Sequence, residues 1–344
     1  MNDSFTQQLE KIEQALCTSF SCRSAEAGAA NGLNSVVSPH ETEPFALLSA
    51  PCANLLSGGG KRWRPLLMIL AYAFAGGTDE RIYTLAPLIE GIHTASLIHD
   101  DIEDNSELRR GKPAAHIVYG LDAALNAGSW LYFQALKSIE AYEAPADIKL
   151  DLYAGALTQI RSLHEGQALD IHWHRTPDFF PSRQDYERMI KLKTGALAVL
   201  AVYAGMRAAG KPHREAEAFS LIFAESGAGF QIIDDVKNIT VGNAGKKRGD
   251  DIVEGKKSLP VILHIEKHPE DAPVLTALFA QAKQEGIDSP AVERAIGILS
   301  DATAEAQHYG KAAVSAVLSR ISAQYGSAAA EVFGSLFTLM QIGF

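Results

Sequence analysis

Residues 97–104 read Leu-Ile-His-Asp-Asp-Ile-Glu-Asp and end a long apolar segment with a cluster of carboxylates. A second stretch of this kind, residues 230–238, reads Phe-Gln-Ile-Ile-Asp-Asp-Val-Lys-Asn. On a helix, side chains four residues apart share a face. Asp100 would therefore lie beside Asp104, and Asp234 beside Asn238. Burying carboxylates without compensation is costly. The two stretches therefore predict core helices that carry hard oxygen ligands, the kind that Mg²⁺ prefers.

Helical spacing of apolar residues dominates the chain, and no segment alternates convincingly in the manner of a β-strand. Residues 4–19 predict an amphipathic helix, and residues 20–44, rich in Ser, Ala, Gly and Asn, predict a long loop. Further helices are predicted at 45–57, 64–76, 79–104, 115–142, 148–171, 183–209, 213–240, 258–267, 271–285, 289–309, 310–324 and 327–341. The short links predict an all-α fold in a single domain over residues 1–344, a helical bundle whose central helices are apolar nearly all round.

The bulk composition is that of an ordinary globular chain: 344 residues, 47% hydrophobic and 21% charged, with a formal net charge of −10. A nucleic-acid-binding protein would show a basic face, so we expect no nucleic-acid partner. Cys17, Cys22 and Cys52 fit neither a disulfide framework nor a zinc site and favour a reducing compartment. The N-terminus lacks a signal-peptide pattern, and the longest apolar stretch, residues 194–206, is too short to span a bilayer. We expect a cytoplasmic protein with no stable membrane insertion.

Residues 57–65, Ser-Gly-Gly-Gly-Lys-Arg-Trp-Arg-Pro, combine three glycines with three cations at a predicted helix start. Glycines let the backbone approach a ligand, and cations near the N–H groups of a helix start bind anions. The alternative is a glycine-rich turn with solvated basic side chains. The segment alone does not decide between the two.

Basic residues accompany both carboxylate clusters. Arg109 and Arg110 follow the first cluster and supply two fork-shaped guanidinium groups. Near the second cluster lie Lys193-Thr194, at the start of an apolar helix, and the charged segments 245–251 and 254–257. Each has a plain alternative: a solvated helix end, a surface lysine or a charged loop. Taken together, the carboxylates and these basic residues predict a site in which carboxylates bind Mg²⁺ and cations bind the oxygens of a diphosphate.

Two further features could support such a site. Gln167 and Asp170 share a helix face and could hold metal ligands in place, although a satisfied polar pair in the core explains them nearly as well. His93 lies seven residues before Asp100 on the same face, where a histidine is more often a core residue than a ligand contact. The other histidines lack metal-ligand spacing.

The motifs Gly-Lys-Arg-x-Arg-Pro, Leu-Ile-His-Asp-Asp-x-x-Asp…Arg-Arg-Gly, Gly-Gln-x-x-Asp, Lys-Thr-Gly and Phe-Gln-x-x-Asp-Asp occur in this order between residues 57 and 260. In this order they closely resemble the trans-isoprenyl diphosphate synthases, or polyprenyl synthetases. Residues 100–120 and the Asn that ends the second cluster resemble geranylgeranyl diphosphate synthases in particular. The resemblance implies an all-α bundle around a deep central cavity, usually a homodimer, with three Mg²⁺ ions between the two Asp-rich helices.

The resemblance also implies roles for individual residues. The implied Mg²⁺ ligands are Asp100, Asp101, Asp104, Asp234 and Asp235. The residues implied for the allylic diphosphate, a primer of C5 to C15, are Arg109, Lys193, Thr194, Gln231, Lys246 and Lys256. Those implied for isopentenyl diphosphate are Gly60, Lys61, Arg64, His93 and Arg110. The expected catalytic residues are Asp100, Asp101, Asp104, Asp234 and Lys193.

The implied reaction is the head-to-tail 1′-4 condensation of isopentenyl diphosphate with an allylic diphosphate. Metals and cations stabilise the departing diphosphate, an allylic cation forms, the isopentenyl double bond attacks it, and the released diphosphate removes a proton. We expect geranylgeranyl diphosphate, C20, as the product, with farnesyl diphosphate, C15, as the alternative. A partner subunit of a heteromeric synthase is a further alternative, against which the presence of both carboxylate sets argues.

Product length in this family depends on cavity depth, and residues about one turn before the first cluster form its floor. Here these are Ala95 and Ser96, both small, so Tyr72 or Phe74 on the preceding helix is the candidate floor, with plain core packing as the alternative. The second cluster ends in Asn238, where many members carry Asp. Asn still offers a carbonyl oxygen to a cation, so we expect a weakened ligand rather than a lost site.

Overall fold

The computed structural model describes three stretches of the chain, residues 3–20, 39–242 and 247–342. These residues fall into two compact units. The first comprises the residues up to Ala156 together with Ala201–Ala216, and the second comprises Leu157–Leu200 together with the residues from Glu217 onward. That the whole chain forms one domain stays a prediction.

The first unit is built from helices packed around α4. The helices are α1 (Asp3–Phe20), α2 (Pro39–Ser57), α3 (Trp63–Phe74), α4 (Ala86–Glu103), α5 (Ala115–Tyr119), α6 (Leu121–Ala141) and the first part of α7 (Ala146–Arg175), with a 3₁₀ turn at Glu80–Leu85. Because α4 is apolar nearly all round, it packs against α1, α3 and α6 together. Its last turn carries the first carboxylate cluster, so this charge lies at the end of a core helix.

A tight hairpin follows α4 and carries both arginines of the first cluster. Its two-residue strands, β1 (Leu108–Arg109) and β2 (Lys112–Pro113), pair antiparallel. Arg110 and Gly111 have φ values of 55° and 75°, the left-handed backbone of a tight turn. A ladder this short shows no alternation, so the sequence did not predict it. These are the only strands within the residues that the structure describes, and the predicted all-α class is confirmed.

The second unit contains the helix that carries the second carboxylate cluster. Its helices are the second part of α7, α8 (Arg183–Ile190), α9 (Ala196–Ala208), α10 (His213–Leu221), α11 (Ala224–Thr240), α12 (Asp250–Glu254), α13 (Leu259–Lys267), α14 (Ala272–Glu285), α15 (Pro290–Ile298), α16 (Ser300–Tyr325) and α17 (Ser327–Ile342); α9 and α10 also contribute residues to the first unit. α11 packs closely along α16, since a Cβ on Gly229 would lie 2.9 Å from the carbonyl oxygen of Gly310. α16 runs through Gly310, where the sequence predicted a break.

Most predicted helices match the structure, but their breaks differ and α12 (Asp250–Glu254) was not predicted. The predicted helix 183–209 is interrupted by a π-helical turn, Lys191–Gly195. The apolar spacing of the sequence does not reveal a single turn of this kind. The loop predicted for residues 20–44 is wrong for its last part, because α2 begins at Pro39. Residues 21–38 lie outside the described residues.

The helical run Arg183–Ala208 is longer than the apolar stretch considered from sequence alone. By length and composition it could cross a membrane, with a mean hydropathy of 1.4. In the structure, 78% of the most apolar 18-residue window of this run is buried inside the protein. Such burial is typical of a core helix.

Candidate active site

The glycine-rich loop between α2 and α3 receives the guanidinium group of Arg110. Gly59 and Gly60 have φ values of 77° and 154°, which residues with side chains rarely adopt. Nη1 of Arg110 donates to the carbonyl of Gly59 and, at 3.3 Å, to that of Leu55. A Cβ on Gly60 would lie 3.1 Å from Nη2 of Arg110. The loop therefore needs glycine to hold this arginine against its backbone.

Arg64 and His93 form a second contact beside this loop. Nη1 of Arg64 lies 3.2 Å from Nε2 of His93, and the guanidinium group stacks 4.5 Å from the ring centroid of Trp63. Burial lowers the pKa of His93 well below its usual value, and the cations Arg64 and Arg110 lower it further. Lys61 is exposed on the same loop. The residues predicted for isopentenyl diphosphate thus belong to one basic region of the first unit.

The first carboxylate cluster is organised by Arg109. Asp101 is buried and accepts hydrogen bonds from Nε of Arg109, at 2.8 Å, and from its Nη2. Nη2 also lies 3.7 Å from Oδ2 of Asp100. Because Arg109 compensates the charge of Asp101, that carboxylate can be buried. Asp100 and Asp104 are partly exposed on one face of the last turn of α4, and their oxygens suit a hard cation.

The π-helical turn Lys191–Gly195 presents two of the predicted residues. Nζ of Lys193 lies 2.7 Å from Oδ2 of Asp170 on α7. Oγ1 of Thr194 donates to Oε1 of Gln231 on α11 at 3.1 Å. Because π bulges re-aim side chains and recur at functional sites, this turn explains how neighbouring residues meet two different helices.

Asp235 is the centre of a buried hydrogen-bond network in the second unit. Its Oδ2 accepts from the Tyr186 hydroxyl at 2.6 Å, and its Oδ1 accepts from Nε2 of Gln231 at 2.9 Å. Burial raises the pKa of Asp235 to about 6, although both hydrogen bonds oppose that shift. The adjacent Asp234 is exposed. Asp235 therefore orients Gln231, and through it Thr194, while Asp234 is the more accessible carboxylate.

Tyr186 is a site residue that the sequence did not reveal. It lies on α8, whose N-cap is Ser182; Oγ of Ser182 accepts a hydrogen bond from the backbone N–H of Asp185. The spacing of Tyr186 with Met189 and Ile190 predicts only a core face. The one available signal was the hydroxyl itself, since a buried phenol needs a hydrogen-bond partner.

The segment after α12 brings Lys256 among carboxylates. Its Nζ lies 2.6 Å from Oε2 of Glu254 and 4.0 Å from Oδ1 of Asp251. The backbone N–H of Asp251 donates to Oδ1 of Asn238 at 3.2 Å. The oxygen that we expected to face a cation thus holds the start of α12. Lys246 lies outside the described residues.

The small residues before the first cluster lie where the sequence placed them, on α4. Ala95 is fully buried, whereas Ser96 is half-buried. Oγ of Ser96 donates to the backbone carbonyl of His93 at 2.7 Å. Their part in product length stays a prediction.

Tyr72 contacts the turn that follows α3. Its hydroxyl donates to Oδ2 of Asp79 at 3.0 Å, and its ring occupies the space that a Cβ on Gly77 would need. These contacts favour core packing for Tyr72, the alternative that the sequence left open. Phe74 is half-buried near the end of the same helix.

No group of three or more His, Cys, Asp or Glu side chains forms a metal site by itself within the described ranges. The donor chemistry of each cluster nonetheless fits Mg²⁺, because each offers carboxylate oxygens, the ligands that this ion prefers. The roles of the individual residues stay predictions. In the first unit, Gly60 contacts Arg110, Arg64 contacts His93, and Arg109 contacts both Asp100 and Asp101. In the second unit, Lys193 contacts Asp170, and Gln231 joins Thr194 to Asp235.

The fold places this protein among known isoprenyl synthases. The structure of geranylgeranyl pyrophosphate synthetase from Pyrococcus horikoshii Ot3 superposes with a TM-score of 0.81 and 25% sequence identity, covering 98% of this chain and 97% of that one. A family model described as polyprenyl synthetase matches residues 45–296. The chain belongs to the polyprenyl synthetase family, and the family predicted from the ordered motifs is confirmed.

Two named relatives are similar to this chain in sequence. The short chain isoprenyl diphosphate synthase of Methanocaldococcus jannaschii is 38% identical over 226 residues, which is 63% of this chain and 66% of that protein. The geranylgeranyl diphosphate synthase of Sulfolobus acidocaldarius is 33% identical over 245 residues, 70% of this chain and 74% of that protein. The match thus spans just under two thirds of the first relative's length.

Proposed function

We propose that the protein catalyses the head-to-tail 1′-4 condensation of isopentenyl diphosphate with an allylic diphosphate and makes geranylgeranyl diphosphate. Family membership and the named relatives support this class of reaction. The observation that carries the proposal is the basic region of the first unit, where Arg110 lies against the glycine loop and Arg64 contacts His93. A terpene cyclase or a head-to-head enzyme has no need of such a site for isopentenyl diphosphate.

The first unit supplies the isopentenyl diphosphate site. The guanidinium groups of Arg64 and Arg110 are the proposed donors to its phosphate oxygens, while Lys61 adds a point charge. Burial lowers the pKa of Arg110, yet a guanidinium group stays protonated at neutral pH. His93 is neutral because its pKa is depressed, so it orients Arg64 without repelling it.

The second unit supplies cations for the allylic diphosphate. Lys193 is aimed by Asp170, and Thr194 is fixed by Gln231. Together with Lys256, these groups meet the negative charge that develops on the leaving diphosphate, and Arg109 of the first unit has the same proposed role. Since they are held before the reaction begins, little reorganisation is needed as that charge appears.

Mg²⁺ is the proposed cofactor, with three ions per active site. Asp100, Asp104 and Asp234 are the exposed or partly exposed carboxylates that would hold it. Asp101 and Asp235 would complete the two sets, and both are already oriented by hydrogen bonds within their own units. When bound, the metal supplies Lewis-acid stabilisation of the departing diphosphate.

The product is proposed to be C20, with C15 as the alternative. Ala95 and Ser96 place no bulky ring on α4 before the first cluster, which supports the longer product. The relative from Sulfolobus acidocaldarius carries the name of a C20 synthase and supports the same choice.

A homodimer is the proposed assembly, in the cytoplasm, without a nucleic-acid partner and without stable membrane insertion. α5 and α6 carry exposed large apolar side chains, namely Ile117, Val118, Leu121, Leu125 and Phe133. Exposed apolar side chains on these two neighbouring helices support an interaction surface there. Light scattering on the purified protein should give twice the mass of one chain.

The test incubates purified protein with Mg²⁺, labelled isopentenyl diphosphate and, separately, the C5, C10 and C15 allylic diphosphates. The products are dephosphorylated and sized by chromatography. Label in a C20 alcohol is the expected result, and a C15 alcohol would move the assignment to farnesyl diphosphate synthase. Folded protein that incorporates no label with any primer would overturn the proposal and favour a partner subunit.

A further inference from the structure

A buried ion-pair cluster lies behind the glycine loop and uses an arginine that contacts neither carboxylate cluster. The side chain of Arg62 is only 2% exposed. Its Nε and Nη2 donate to Oε1 and Oε2 of Glu13, at 2.7 and 3.4 Å, and its Nη1 donates to Oε1 of Glu90 at 2.7 Å. Nη2 also donates to the carbonyl of Leu56. One side chain therefore joins α1, α4 and the end of α2.

The backbone of Arg62 needs this anchorage. Its φ of 45° is in the left-handed region, which residues other than glycine rarely adopt and which persists only where the surroundings impose it. Arg62 is also the N-cap of α3, since its carbonyl accepts a hydrogen bond from the N–H of Leu66 at 3.1 Å. The buried side-chain contacts thus fix the conformation at which the glycine loop becomes a helix.

The residues on both sides of Arg62 belong to the proposed isopentenyl diphosphate site. Lys61 precedes it, and Arg64 follows within the first turn of α3. Glu90 lies one turn before His93 on α4, so Arg62 is tied to the helix that also carries the partner of Arg64. The cluster therefore sets the loop and α4 relative to each other.

Glu13 comes from a helix outside the part of the chain that the family model matches, which begins at residue 45. α1 is firmly docked, because Ile12 and Leu16 are buried and a Cβ on Gly91 would lie 2.9 Å from the ring of Phe20. Gly91 is adjacent to Glu90, so the close packing of α1 on α4 is also what brings Glu13 to Arg62.

We propose that Glu13, Arg62 and Glu90 are positioning residues for isopentenyl diphosphate, and that α1 is thereby a working part of that site. The inference rests on the proposed function. Arg62 holds the loop and does not touch the substrate, because its donors are directed at two carboxylates and a carbonyl. Loosening the cluster should therefore weaken the binding of isopentenyl diphosphate and leave the binding of the allylic primer unchanged.

The test compares Glu13→Gln with Glu10→Gln, an exposed glutamate on the same helix. Glu13 is 47% exposed, so its loss should be tolerated by the fold, whereas Glu90 is buried. Losing a charged hydrogen bond should raise the KM for isopentenyl diphosphate roughly tenfold in Glu13→Gln. The KM for the allylic primer and kcat should stay within about twofold. Glu10→Gln should match the wild type, and Glu13→Asp should recover part of the loss.

Calorimetric titration of isopentenyl diphosphate, without primer, gives a second readout that needs no turnover. Weaker binding by Glu13→Gln alone is the expected result. Equal behaviour of Glu13→Gln and Glu10→Gln, or an equal rise in both KM values, would overturn the inference while leaving the synthase activity of the wild type intact. A wild-type protein that binds isopentenyl diphosphate but never condenses it would instead refute the proposed function.

Discussion

Gly166 of α7 lies so close to the π-helical turn that a Cβ on it would overlap the backbone nitrogen of Lys193 and come within 2.9 Å of its Cα. This close approach brings Lys193 to Asp170, one turn further along α7. The glycine of the Gly-Gln-x-x-Asp motif therefore has a steric reason, which is contact between two backbones.

Gly166→Ala should displace the π-helical turn. Forcing a methyl group into packed backbone typically costs about 1–3 kcal/mol, so we expect a lower melting temperature together with a higher KM for the allylic primer. Gly297→Ala is the matched control, because nothing lies within 4 Å of its Cβ position in α15. That change should stabilise the protein by about 0.5–1 kcal/mol, as alanine does within helices. Identical melting curves and kinetics for the two variants would refute the steric account.

Arg109→Lys tests the organisation of the first cluster. A guanidinium group reaches Asp101 through two nitrogens and lies near Asp100, whereas an ammonium group is a single point charge. We expect kcat to fall about 100-fold, the usual effect of losing a preorganised electrostatic contact. The control is Arg161→Lys, an exposed arginine paired with Glu165. A kcat close to that of the control would show that Arg109 acts only as a charge.

Asn238→Asp tests the departure in the second cluster. Because Oδ1 of Asn238 already accepts from the Asp251 backbone, the new carboxylate should not tighten Mg²⁺ binding. It would be buried one turn from Asp235, and we expect the free energy of unfolding to fall by about 1–3 kcal/mol. Asn126→Asp, at an exposed position of α6, is the control. A lower Mg²⁺ concentration for half-maximal activity would instead identify position 238 as a metal ligand.

The side chain of Lys257 should make the stability of the folded protein depend on pH in the alkaline range. It is buried, donates to the carbonyl of Pro177 at 2.8 Å and lies 4.1 Å from the ring centroid of Phe180. Burial lowers its pKa from 10.5 to about 8. Between these two values the unfolded chain holds a proton that the folded protein has released, so stability rises with pH across this window.

The comparison is between wild type and Lys257→Met in chemical denaturation from pH 7.5 to 10.5. Over this range the free energy of unfolding of the wild type should rise by on the order of 3 kcal/mol more than that of the variant. The reason is that the variant has no titrating ammonium group at this position. Lys283→Met, at an exposed position of α14, should keep the wild-type slope. Parallel curves for wild type and Lys257→Met would show that the ammonium group is not held in a low-dielectric site.

Product length distinguishes the two interpretations of Tyr72. Because its ring and hydroxyl contact Gly77 and Asp79, we expect Tyr72→Ala to cost about 3 kcal/mol of stability and to leave the C20 product unchanged. Ser96→Phe adds a ring before the first cluster and should shorten the product, whereas Ser96→Ala should not. A product longer than C20 from Tyr72→Ala would make Tyr72 the floor of the cavity.

Much of the candidate site could be predicted because its residues stand in short local motifs. Asp100 and Asp104, or Lys193 and Thr194, are recognisable from chemical type and helical spacing alone. Tyr186 could not be found in this way, since its hydroxyl is meaningful only beside Asp235, 49 residues later in the chain. The sequence pattern likewise predicts a cation ligand at Asn238, because its hydrogen bond with the Asp251 backbone joins residues 13 positions apart.

Apolar period and motif order are local properties of the chain, so the residue pattern predicts most helices, their approximate limits and the family. Which atoms of those residues make contacts depends on the folded protein. The contact of Glu13 with Arg62, the hydrogen bond from Tyr186 to Asp235, and the approach of Gly166 to Lys193 all join segments distant in the chain. Such contacts depend on packing and on the compensation of buried charge, which no local pattern records.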